Sequence, residues 1–172
     1  MNAPDFPAGE FVESPYSPER RQALIQETID APGKLLAAID GLTDAQLDTK
    51  YRNWTVRQIV HHVADSHMHS YIRFKWTLTE DTPMIKAYDE AAWVLLEDSQ
   101  SGDPVVAVRM LEALHAKWVQ LMNVMSESDY QQSFVHPEHG GSVDLWQAQN
   151  YYPWHAKHHT AQILWLRDQH GW

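Results

Sequence analysis

A chain of 172 residues, 44% of them hydrophobic, is long enough to bury a sizeable core as one domain. Its 13 basic against 23 acidic side chains give a formal charge of −10, which repels phosphate backbones and argues against a nucleic-acid partner. Cysteine is absent, which excludes disulfides, thiolate metal ligands and a protein thiol nucleophile, so any metal must sit on nitrogen and oxygen.

There is no basic-then-apolar leader and no apolar run near the roughly 20 residues that span a bilayer, so the expectation is a soluble, cytoplasmic protein. Residues 1–16 hold Pro4, Pro7 and Pro15 and read as an extended arm lying against the domain. Ser17-Pro18-Glu19 is an N-cap followed by proline at the first helical position, and it opens a helix carrying Leu24, Ile25, Ile29, Leu35, Leu36 and Ile39. Pro32-Gly33 should bend or briefly break this helix, and Gly41 should stop it. Residues 42–53 read as one helical turn and a connector. From Thr55, the pattern Val56, Ile59, Val60, Val63, Met68, Ile72 and Trp76 predicts a long second helix that ends at Asp81-Thr82-Pro83.

Residues 83–102 predict a loop with a short helix. Val105, Val108, Leu111, Leu114, Trp118, Leu121 and Met125 then mark a third long helix ending near Ser126. Phe134 to Val143 has two β-prone ends around a Pro/Gly turn, a small hairpin. Asp144 to Gln169 forms the last helix, crossed by Pro153 and closed by Gly171. The fold class expected is all-α, an up-and-down four-helix bundle with a site between facing helices.

The chemistry lies in two histidine runs, His61-His62-Val63-Ala64-Asp65-Ser66-His67-Met68-His69 on the second helix and Trp154-His155-Ala156-Lys157-His158-His159 on the last. His155 and His159, four apart, stand one above the other on a helix face. On the second helix His62 shares a stripe with Ile59, Val63, Ser66 and Ser70, whereas His61 and His67 point roughly 100° or more away. His62, His155 and His159 are therefore the inward set, and three neutral imidazoles on one divalent ion leave positions for water or substrate. Asp65 and Gln162, each about one turn from a ligand, are candidates to orient the outer ring nitrogens. His158 falls to one side, while His115, His139 and His170 are expected at the surface and His136 beside a turn near a pocket mouth. The tryptophans fit core packing. Asp89 and Glu90, after Tyr88, could line a pocket and serve a general base. No His-Glu-x-x-His helix, glycine-rich phosphate loop or Gly-x-Ser-x-Gly elbow competes with this set.

The segment Trp54-Thr55-Val56-Arg57-Gln58-Ile59-Val60-His61-His62-Val63-Ala64-Asp65-Ser66-His67 resembles the signature of the DinB/YfiT-like family of metal-dependent hydrolases. Ala87-Tyr88-Asp89-Glu90 with Trp93, Phe134 to Glu138, and Trp154 to His159 resemble later blocks of that family in the same order. The resemblance implies a four-helix bundle spanning residues 1–172, commonly a homodimer, with one nickel or zinc ion on residues matching His62, His155 and His159. It implies hydrolysis of a small-molecule substrate. The wider superfamily adds transfer to a low-molecular-weight thiol such as bacillithiol, which a cysteine-free chain would take from outside. A non-catalytic metal-binding or stress-related interaction protein is the reading from another class. The chain departs from the family pattern in its short connector Tyr51-Arg52-Asn53 and in Pro153, which could turn Tyr152 away from the site.

Overall fold

Each long helix begins where a side chain can take up its free N–H groups. Ser17 accepts from Arg20 N at the start of α1 (Pro18–Ile39), and Thr55 and Gln58 form a capping box at the start of α3 (Val56–Thr77). Asp103 caps α6 (Pro104–Val124), and Asp144 caps α8 (Leu145–His170), which ends on Gly171 at φ 69°. A computed structural model describes residues 3–138 and 140–172 of the chain, so the expectation for His139 lies outside the described residues. Four short helices fill the connections: α2 (Asp44–Leu47), α4 (Glu90–Trp93), α5 (Glu97–Ser101) and α7 (Glu127–Tyr130). A minimal hairpin, β1 (Lys50–Tyr51) with β2 (Trp54–Thr55), stands where the sequence suggested only a connector. The expected second hairpin pairs β3 (Ser133–His136) with β4 (Gly141–Asp144), Ser133 opposite Asp144 and His136 opposite Gly141.

The four long helices form a four-helix bundle in which α1 and α3 each pack on α6 and α8. Its sense along the chain is up, down, down, up, rather than the simple alternation expected. Arg21 at the start of α1 donates to Met122 and Asn123 carbonyls at the end of α6, so that pair is antiparallel. Arg167 near the end of α8 donates to Ala38 and Asp40 carbonyls at the end of α1, so those two run parallel. Arg57 at the start of α3 reaches the Gly102 carbonyl just before α6, and Phe74 meets Trp118 further along, so α3 and α6 are also parallel. The cause is the connection 78–103. Instead of turning tightly it runs back along α3, pinned by Ile85 N to the Val135 carbonyl and by Gln58 Nε2 to the Val94 carbonyl.

Neither proline breaks its helix: α1 continues through Pro32 and α8 through Pro153. Proline at 32 removes the donor that the Thr28 carbonyl would use, and His115 Nδ1 supplies another at 2.7 Å. The apolar interior divides into two clusters. One gathers Leu35, Ile59, Val60, Leu111, Ile163 and Leu166, and the other Leu24, Phe74, Trp118, Met122, Leu145 and Tyr152. Between them on the four helices lie Thr28, His67, His115 and His155, all buried. No helix among the described residues is long and apolar enough to cross a membrane.

Candidate metal centre

His62 from α3 and His155 and His159 from α8 meet on the antiparallel α3–α8 seam. His155 Nε2 lies 3.2 Å from His62 Nε2 and 3.1 Å from His159 Nε2, and one nitrogen from each of the three falls within 4.8 Å of the others. Nitrogens about 2.0 to 2.1 Å from a tetrahedral ion stand roughly 3.3 Å apart, so two of these spacings suit a shared cation. Burial and the neighbouring imidazoles hold His62 and His155 well below the ordinary histidine range. Burial pushes His159 down to about 4. All three are therefore neutral near pH 7, as ligation requires. Gln162 donates through Nε2 to His158 and can then only accept at Oε1, which lies 2.8 Å from His159 Nδ1. That places the proton of His159 on Nδ1 and turns a bare Nε2 toward the other two rings.

The three rings border a cavity of about 550 Å³ whose walls include Phe11, Trp54, Tyr88, Phe134, Tyr151, Tyr152 and Trp154. The N-terminal arm closes one side. Phe11 packs on Tyr151 and Trp154, and Trp154 Nε1 donates to the Gly9 carbonyl, so arm and α8 hold each other. Glu90, Glu138, His136, Arg73 and His158 bring polar groups to the same walls, and Arg73 donates to the Tyr152 hydroxyl at 3.2 Å.

Several expectations change here. Asp65 makes no hydrogen bond to His62: its backbone carbonyl accepts from His69 Nδ1, and burial, with the charge of Asp98, raises its carboxyl to about 6. The Tyr88 hydroxyl stands 3.5 Å from His62 Nδ1, held by stacking of Tyr88 on His69 at 4.1 Å. Asp89 is not on the wall of this cavity; its carboxylate caps α4 by accepting from Ala92 N. His115 is buried rather than at the surface, and His67 faces inward despite its offset from His62, because α3 packs against both α6 and α8. Tyr152 faces the cavity, and Trp54 and Trp154 line it rather than filling the core. For His115 the signal was readable. It sits in the register of Leu111, Trp118 and Met122, the stripe that is buried along α6.

Residues 27–163 match the model of the DinB superfamily. The chain belongs to this family. It is 44% identical, across 97% of its length and 96% of the relative's, to the Bacillus subtilis protein named "Putative metal-dependent hydrolase YfiT". A Bacillus cereus protein, "Putative metal-dependent hydrolase", is 47% identical across 100% of both chains. The solved structure of YfiT from Bacillus subtilis, titled as "a probable metal-dependent hydrolase with an unusual four-helix bundle topology", superposes with a TM-score of 0.94 over 97% of each chain. The up, down, down, up order found here is that of a bundle that departs from simple alternation.

Proposed function

We propose that this DinB-family protein is a hydrolase of a small substrate, using a nickel or zinc ion held by His62, His155 and His159. The observation that carries this reading is the convergence of three neutral imidazoles at the wall of an aromatic cavity. When bound, such a cation polarises a substrate carbonyl and lowers the pKa of water toward about 7. The rest falls to the chain. The aromatic walls present flat apolar surface to the substrate, and the Arg73–Tyr152 pair supplies donors. Proton transfer is assigned to a carboxylate of the wall, Glu90 or Glu138, since Asp89 is occupied as a cap.

The test is elemental analysis of untagged protein followed by a paired screen of the metal-loaded chain. Ester and amide panels run beside low-molecular-weight thiols offered with an electrophile such as monochlorobimane. Hydrolysis without added thiol, lost in Glu90→Gln or Glu138→Gln, is the expected result. Turnover only when a thiol is present would replace hydrolysis with thiol transfer, and bound metal with no turnover at all would favour a binding role.

A further inference from the structure

Three members of the polar layer between the two apolar clusters, Thr28, His67 and His115, have no part in holding the metal or the substrate. The layer starts at the Thr28 carbonyl, which Pro32 leaves without its helical donor. His115 Nδ1 lies 2.7 Å from that oxygen. A carbonyl can only accept, so His115 carries its proton on Nδ1 and offers Nε2 as a lone pair. His67 Nδ1 is 2.8 Å from that Nε2 and must be the donor, which leaves His67 Nε2 bare. His155 Nδ1 stands 3.4 Å from His67 Nε2 and donates to it. Followed to its end, the chain of single protons leaves one bare nitrogen, Nε2 of His155, aimed at His62 and His159.

We infer that the Thr28 carbonyl, His115 and His67 form a relay that fixes His155 in the tautomer and ring orientation of a metal ligand. The inference rests on the metal reading of the His62, His155 and His159 set. His67 and His115 are positioning residues that need not touch the ion or the substrate. Burial keeps the relay neutral: desolvation drives His67 and His155 far below the ordinary histidine range and brings His115 down to about 4. A second proton on His115 or His67 would set two N–H groups against each other, so one arrangement of single protons satisfies every contact of the layer. The two other ligands have shorter supports, Gln162 behind His159 and the Tyr88 hydroxyl near His62. His155 is buried where its ring meets the cavity, and the relay supplies its direction from behind, through His67 and His115.

The experiment combines zinc affinity with nitrogen NMR of the histidine rings. His115→Phe keeps an aromatic ring but removes both nitrogens, and outer-shell losses of this kind weaken metal binding by about 10- to 100-fold. His115→Gln can still accept from His67 and donate to Thr28, and should stay within about threefold of the unmodified chain. In zinc-free unmodified protein, long-range proton–nitrogen spectra should place the protons of His67, His115 and His155 on Nδ1. In His115→Phe, His155 should acquire a population protonated on Nε2, with helix content unchanged by circular dichroism. Protonation of His67 or His155 on Nε2 in the unmodified chain overturns the relay, whether or not either variant folds. Equal zinc affinity for His115→Phe and the unmodified chain overturns it as well. Nδ1 protonation throughout, in a protein that binds no zinc, overturns the metal reading and leaves the hydrogen-bonded relay standing.

Discussion

Replacing His155 by alanine tests the centre most directly, because this ring is shared by the metal set and by the polar layer. In the unmodified chain, stripped with a chelator, zinc at 100 times its Kd should stabilise the fold by about 2.7 kcal/mol. For a domain of this size each kcal/mol moves Tm by about 2 to 4 °C, so the expected rise is roughly 5 to 11 °C. His155→Ala leaves His62 and His159 on different helices with no ligand between them, and its loss should exceed the roughly 100-fold upper range of outer-shell effects. At the same zinc concentration the remaining stabilisation is then at most about 0.4 kcal/mol, a shift of about 1 °C. The zinc-free variant should itself be weaker by about 1 to 3 kcal/mol, because His67 Nε2 loses the His155 donor in a buried layer. Calorimetric scans of both proteins with and without zinc separate the two effects. A variant whose Tm rises with zinc as much as that of the unmodified chain would refute the assignment of His155 as a ligand.

Gln162→Leu should weaken zinc binding by about 10-fold while leaving the zinc-free Tm nearly unchanged, since Gln162 is only partly buried; chelator competition measures this, and an unchanged Kd would remove its role behind His159. Acid should destabilise the zinc-free protein. His115 is neutral in the fold, with its pKa down to about 4, whereas the unfolded chain binds that proton near 6.5. Its contribution is therefore complete above about pH 6.5 and falls by about 3 kcal/mol as pH drops to about 4, with His62, His67, His155 and His159 acting in the same sense. Asp65, raised to about 6, works the other way, but it is one group against five. Urea midpoints at pH 7 and pH 4.5 check the sign, and equal midpoints would contradict it. Arg57→Met should cost about 2 kcal/mol, read from urea unfolding, because the buried guanidinium ties Asp44, Asp48 and the Gly102 carbonyl to the start of α3. A loss below about 0.5 kcal/mol would mean that these ties contribute no more than exposed ion pairs.

Sequence periodicity was enough to find the four long helices and to bring His62, His155 and His159 to one seam, because a helix of 3.6 residues per turn converts spacing into direction without further information. It could not give the direction of α6 relative to α3, which depends on how the 78–103 connection lies along the bundle. That single unknown also hid the relay. A stripe drawn for one packing partner places His67 off the face, but α3 has partners on two sides, and the arc between them takes in both His62 and His67.

Pro32 shows the same limit from the other direction. Read alone, it is a break in α1; in the fold it frees a carbonyl at the height where His115 needs an acceptor. A histidine and a threonine in contact between two apolar clusters would be a poor core on hydrophobic grounds, since leucine in that layer would join the clusters and avoid burying polar groups. The layer is coherent only because every proton in it has one place to go, and that ordering ends on the one ring nitrogen that the metal reading requires to be bare.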